Sequence, residues 1–166
     1  MNLDKKLIDI FANVTSDAAI ACYNYLGKEN KILADKAATD SMRENLNNLN
    51  ISGEVVIGEG ELDKAPMLYI GENLGTGKGP SLDIAVDPLE GTNFAAKNLP
   101  GALSVLAVTH KGNLFKAPET YMEKIAVKKE VPFDATDLDF SIEKNIKNIA
   151  ESQNKKVSEI TVCLLN

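Results

Sequence analysis

Two strand-like stretches of this chain each run directly into a glycine-flanked carboxylate. The first is Ser81–Thr92, S-L-D-I-A-V-D-P-L-E-G-T. Leu82, Ile84 and Val86 alternate with Asp83 and Ala85, the period of a strand. Pro88 has no N–H to give a central ladder, so the strand is expected to stop there. Gly91 permits a tight turn or a close backbone approach. Asp87, Glu90 and Thr92 are thereby held at a strand end, where fixed backbone can aim them. The second stretch is Glu54–Ile57, which opens into Gly58-Glu59-Gly60-Glu61-Leu62-Asp63. Gly58 and Gly60 relieve crowding beside Glu59. Either stretch alone reads equally well as a loop of solvated acids. Two ends built alike in one chain favour chemistry.

The remaining pattern is that of an α/β protein. Leu3, Leu7, Ile10, Phe11, Val14, Ala18, Ala21, Cys22 and Tyr25 recur at helical spacing and predict one amphipathic helix over Leu3–Leu26, with Gly27 as its stop. A second helix is expected over Lys36–Leu49, buried through Ala38, Met42, Leu46 and Leu49. Asp35 stands just before it, where an N-cap is the alternative to a functional role. Ala65–Ile70 leads toward a further strand. Gly71–Pro80 contains four glycines but fails both phosphate-loop patterns, with Glu72 and Pro80 where each needs glycine, so it reads as a hairpin or surface loop. Ala102–Thr109 reads as a buried strand, Met122–Val127 as another, and Ser141–Gln153 as a helix. Ile160–Leu165 reads as a closing buried strand.

Composition narrows the partners. The 166 residues carry a net charge of −6, which disfavours a nucleic-acid backbone as partner. No run approaches the roughly 18 apolar residues of a membrane span. The N-terminus has charges where a signal peptide needs an apolar run, and Cys22 and Cys163 make no disulfide framework, so a cytoplasmic setting is expected. His110 is the single histidine, which leaves histidine-based metal sites and dyads without material.

Asp35, Glu59, Asp87 and Glu90 all lie at element ends or beginnings, and carboxylates are hard oxygen donors suited to Mg²⁺ or Mn²⁺. Should they converge, they make a site for one to three divalent cations. Two such ions roughly 3.5–4 Å apart clamp a phosphoryl group and activate a water. Thr92 and Asp63 are placed to position or deprotonate that water. Without cations an acidic pocket repels phosphate, so the acids make sense only with metal.

D-I-A-V-D-P-L-E-G-T (Asp83–Thr92) resembles the lithium-sensitive sugar phosphatases. Together with V-I-G-E-G-E-L-D-K-A-P-M-L-Y-I-G-E (Val56–Glu72) and A-P-E-T-Y-M-E-K (Ala117–Lys124), it resembles the class II fructose-1,6-bisphosphatases of the bacterial glycerol-regulon type. The likeness runs over nearly the whole chain. It implies a layered α/β sandwich of the sugar-phosphatase type, two N-terminal helices packed on a largely antiparallel mixed sheet. It implies Mn²⁺- or Mg²⁺-dependent hydrolysis of the 1-phosphate of fructose 1,6-bisphosphate, in gluconeogenesis, with sedoheptulose 1,7-bisphosphate as a second substrate in some members. It matches Asp35, Glu59, Asp87 and Glu90 to metal ligands, and Glu90, Gly91, Thr92 and Tyr121 to substrate contacts. Asp63 matches an acid near the reacting water, and Lys31 matches a family lysine. Family members are about twice as long. On that basis 1–156 is expected to be an N-terminal metal-binding phosphatase domain, and 157–166 the first strand of a second half. The partners expected are a sugar bisphosphate and either a second copy or a complementing C-terminal half. The other reading is a catalytically inactive fragment or paralogue that keeps the fold as a folding or interaction domain.

Overall fold

The apolar stripe of the N-terminal segment becomes helix α1, Lys5–Tyr23, which buries Phe11, Val14, Ala18 and Cys22 along one face. The structure, a computed structural model, describes residues 5–59, 67–116 and 122–164. Helix α2, Lys31–Asn47, buries Ala34, Ala38, Thr39, Met42 and Leu46 and packs along α1. Ala18, Ala34 and Ala38 are wholly shielded, and their small side chains allow close approach of the backbones. Met42 and Leu46 are also fully buried, each worth about 1.5–3 kcal/mol of transfer free energy.

The start of α2 differs from the sequence expectation. Asn30, not Asp35, is the N-cap, and its side chain accepts from the Leu33 N–H at 3.0 Å. The helix therefore begins at Lys31, and Asp35 lies in its second turn, with no capping duty.

Among the described residues a four-stranded sheet carries these helices, in the order β2-β1-β3-β4. Its strands are β1 (Ser52–Ile57), β2 (Asn73–Leu74), β3 (Ser81–Glu90) and β4 (Leu103–His110). β1 pairs parallel with β3, while β1–β2 and β3–β4 are antiparallel. The sheet is thus mixed and largely antiparallel, as expected. Leu82, Ile84 and Val86 of β3 join the helix-facing core with Val55, Leu68 and Leu74.

β3 continues through Pro88 instead of stopping before it. The ladder to β4 pairs Asp87 with Val105 and then Glu90 with Leu103, so β3 has one residue more than its partner over that step. The resulting β-bulge accommodates a residue that cannot donate, and Pro88 is fully buried within it. After β3, Gly91 adopts φ +78° and leads into the short helix α3, Thr92–Ala96. That left-handed conformation is one glycine takes without the Cβ penalty.

The chain divides into two compact units, Met1–Ala117 and Pro118–Asn166. The second contains a 3-10 turn at Phe133–Ala135 and helix α4, Ile142–Ser152, capped by Ser141, whose side chain accepts from the Lys144 N–H. Asn145 is buried there, its amide donating to Asp137 O and its oxygen accepting from the Asp137 N–H. Residues 67–70, 122–127 and 160–164, each read as strand or strand entry from sequence, join no ladder among the described residues. Alternating apolar residues need a hydrogen-bonding neighbour before they become a strand. No helix among the described residues is long and apolar enough to cross a membrane.

Candidate metal and phosphate site

Parallel pairing of β1 and β3 sets the site. It matches Glu54 with Asp83, Val55 with Ile84 and Ile57 with Ala85, so both strands finish at the same edge of the sheet. Glu59 follows the end of β1 and Asp87 lies near the end of β3. Had the strands run antiparallel, these acids would stand at opposite edges. Gly58 is the close-approach residue on the β1 side. A Cβ there would lie 2.3 Å from the Leu68 carbonyl oxygen and 2.7 Å from Val55 Cγ1. Beside it, the Glu59 N–H donates to that same Leu68 oxygen at 3.0 Å.

On β3, Asp87 and Glu90 are three residues apart, which in a plain strand puts them on opposite faces. The Pro88 bulge absorbs the odd residue, so their partners Val105 and Leu103 are two apart and the two acids share a face. The Asp87 carboxyl is pushed up to about 7. Burial is the largest cause, followed by a hydrogen bond with Glu90 and the negative charges of Glu59 and Glu90; the Leu89 backbone acts in the opposite direction. Asp87 Oδ1 is shielded from solvent and has no hydrogen-bond partner among the described residues.

Asp35 presents the same signature on α2. Its Oδ1 is buried without a partner among the described residues, and burial raises its carboxyl above the usual range. α2 packs against β3 and α3, the elements that carry Asp87, Glu90 and Thr92. Lys31 lies one turn before Asp35 on the same helical face. Thr92 opens α3 immediately after the Gly91 turn. Asp63 and Tyr121 lie outside the described residues.

The charges of Glu59 and Glu90 therefore both act on Asp87, while Asp35 is not among the charges that shift it. Among the described residues, no group of three or more His, Cys, Asp or Glu is gathered closely enough to hold a metal. The donor chemistry nonetheless fits a hard divalent cation. All four are carboxylates, and two of them present buried oxygens whose hydrogen-bonding capacity is unmet.

Residues 5–166 match the family described as bacterial fructose-1,6-bisphosphatase, glpX-encoded. The chain belongs to the class 2 fructose-1,6-bisphosphatase family. It is 49% identical over 155 residues to fructose-1,6-bisphosphatase 1 class 2 of Escherichia coli strain K12, covering 93% of this chain and 46% of that protein. It is 44% identical to the class 2 fructose-1,6-bisphosphatase of Haemophilus influenzae, covering 98% and 49%. A protein of Synechococcus strain CC9902, named D-fructose 1,6-bisphosphatase class 2/sedoheptulose 1,7-bisphosphatase, is 43% identical over 99% of this chain and 49% of its own length. The chain thus spans about half the length of these relatives. Among solved structures, an extragenic suppressor from Pyrococcus furiosus overlaps 64% of this chain and 41% of its own, with a TM-score of 0.44 and 19% identity.

Two further residues brace the frame of this fructose-1,6-bisphosphatase family member, and no local sequence pattern singles them out. Asp83, in sequence only the polar half of an alternation, is buried, and its Oδ2 accepts from the Gly112 N–H at 2.7 Å and the Leu114 N–H at 3.2 Å. It clamps the turn after β4 to the central strand. Arg43 on α2 grips Glu72, with Nε to Oε1 at 2.7 Å and Nη2 to Oε2 at 3.2 Å. One signal for it does exist in the sequence: it is the only arginine in a chain that otherwise uses lysine.

Proposed function

We propose that this chain provides the acidic half-site of a fructose-1,6-bisphosphatase, hydrolysing the 1-phosphate of fructose 1,6-bisphosphate with Mn²⁺ or Mg²⁺. The observation that carries this reading is the Asp87 carboxyl, whose shielded Oδ1 has no partner among the described residues and which faces the negative charges of Glu59 and Glu90. An arrangement of that kind is unfavourable by itself and is relieved by a cation. Asp35, Glu59, Asp87 and Glu90 would hold it. When bound, the cation supplies charge neutralisation at the phosphoryl oxygens and makes a nearby water more acidic.

The chain's own groups then do the positioning. The Thr92 hydroxyl and the Glu90-Gly91 turn orient the phosphate end of the sugar, and Tyr121 contacts the substrate. Asp63 accepts a proton from the attacking water. The water oxygen bonds to phosphorus as the bond from phosphorus to the C1 oxygen breaks, and a proton from solvent completes the C1 hydroxyl, releasing phosphate and fructose 6-phosphate. The reading includes a cytoplasmic setting and a second copy or complementing C-terminal half as partner. Names of relatives and the family match support the substrate class.

One observation favours a second reading, a domain that keeps the fold and binds cations without turnover. Among the described residues, no group of three or more His, Cys, Asp or Glu is gathered closely enough to form a complete catalytic metal centre. Phosphate release from fructose 1,6-bisphosphate with Mn²⁺, measured beside Mn²⁺-dependent melting, separates the two. Release that Asp87→Ala abolishes supports the enzyme. A melting shift without release supports the binding domain. Neither signal at millimolar Mn²⁺ overturns both.

A further inference from the structure

The segment that follows the Glu59 loop lies along β1. The Gly71 N–H donates to Val55 O at 2.8 Å, the Val55 N–H to Glu72 O at 2.9 Å, and the Glu59 N–H to Leu68 O at 3.0 Å. The backbone of Glu59 thus hangs from Leu68, and Gly58 has no Cβ so that Leu68 can come this close. Helix α2 also reaches this segment, through the Arg43 side chain. The Arg43 guanidinium donates through Nε and Nη2 to the two oxygens of Glu72, and Nη2 also donates to the Met67 carbonyl, the residue next to Leu68. Both partners are largely buried, with 24% and 11% of their side-chain surfaces exposed.

Arg43 is on the same rigid element as Asp35, roughly 12 Å along the helix from it. A planar fork fixes direction as well as distance, which the ammonium of lysine does not. The chain has arginine at this position and lysine at every other basic one. We infer that Arg43 is a positioning residue for the acidic site: through Met67, Leu68 and Glu72 it sets where Glu59 stands relative to α2. This rests on the reading of Glu59 as a cation ligand. The competing role is a plain ion pair that only stabilises the fold.

The test compares Arg43→Lys, Arg43→Met and Glu72→Gln with the parent chain by three readouts: thermal melting in chelator, amide hydrogen exchange, and the Mn²⁺ concentration at half-maximal melting shift. For Arg43→Lys the expected result is melting within a few degrees of the parent. Exchange at the Glu59 amide is expected to rise tenfold or more with the Ile84 amide unchanged, and the Mn²⁺ midpoint to weaken about tenfold, the equivalent of about 1.4 kcal/mol. Should Arg43→Met fail to fold, Arg43→Lys and Glu72→Gln decide. An Arg43→Lys chain that matches the parent at both the Glu59 amide and the Mn²⁺ midpoint overturns the inference, since charge alone then suffices. A parent that shows no Mn²⁺ response, while Arg43→Lys still loosens the Glu59 amide, overturns the metal reading and upholds the positioning of Glu59 by Arg43.

Discussion

Asp87→Asn is expected to stabilise the metal-free chain at alkaline pH, although it removes the residue on which the proposed chemistry most depends. The Asp87 carboxyl keeps its proton until about 7 in the folded state, against an ordinary value of 3.8. Between those values the unfolded chain has released the proton and the folded chain has not, so stability falls as pH rises from about 4 to about 7 and is flat above. For a wholly buried group a rise of this size corresponds to about 4 kcal/mol. Asp87 is only half-buried, and solvent screening reduces this to about 1–2 kcal/mol. Asparagine has nothing to ionise and keeps the shape. Far-UV circular dichroism melts in chelator should therefore superimpose at pH 4. By pH 8 they should separate, with the variant higher by roughly 3–6 °C for a chain of this size. Mn²⁺ at pH 8 should raise the parent's midpoint and leave the variant's unchanged. Asp35, also raised by burial, contributes equally to both chains and cancels. Parallel curves across the pH range, or a variant that melts lower at pH 8, would refute the idea that burial and the Glu59 and Glu90 charges strain Asp87.

Three other outcomes follow from the geometry. Glu90→Ala should abolish Mn²⁺-dependent phosphate release with little loss of fold, checked by release assay and circular dichroism. Asp83→Ala leaves the Gly112 and Leu114 N–H groups without their acceptor and should cost about 1–3 kcal/mol in urea denaturation. Gly58→Ala drives a Cβ into the Leu68 carbonyl; it should cost about 1–3 kcal/mol and weaken Mn²⁺ binding, because the shift falls next to Glu59.

Much of this architecture is legible in the residues, and the parts that are not have physical causes. Helical periodicity locates α1 and α4 closely because each has a continuous apolar face. The start of α2 is hidden because Lys31, Ile32 and Leu33 resemble a connector, and only the Asn30 cap shows that the helix has begun. Pro88 reads as a stop only so long as the ladder is regular. A bulge is a property of two strands and is invisible in one. The same holds for Met122–Val127 and Ile160–Leu165, where an apolar run suggests a strand but names no neighbour, and none of their described residues joins a ladder. At the site, the carboxylates are recognisable by type and by their glycine neighbours. Their mutual influence depends on parallel pairing, which no local pattern encodes. Arg43 and Asp83 escape a local reading because their partners lie 24 to 31 residues away in the chain.

The parallel pairing of β1 and β3 also has a kinetic side. Its contacts close a loop of roughly 30 residues, longer than that of either antiparallel pair in the sheet. Bringing those strand ends together also sets the charge of Glu59 against Asp87. The docking that needs the most chain entropy is thus the one the protein's own charges resist. A divalent ion in the refolding buffer would act there as an assembly aid, drawing the two strand ends into register before the rest of the sheet has formed.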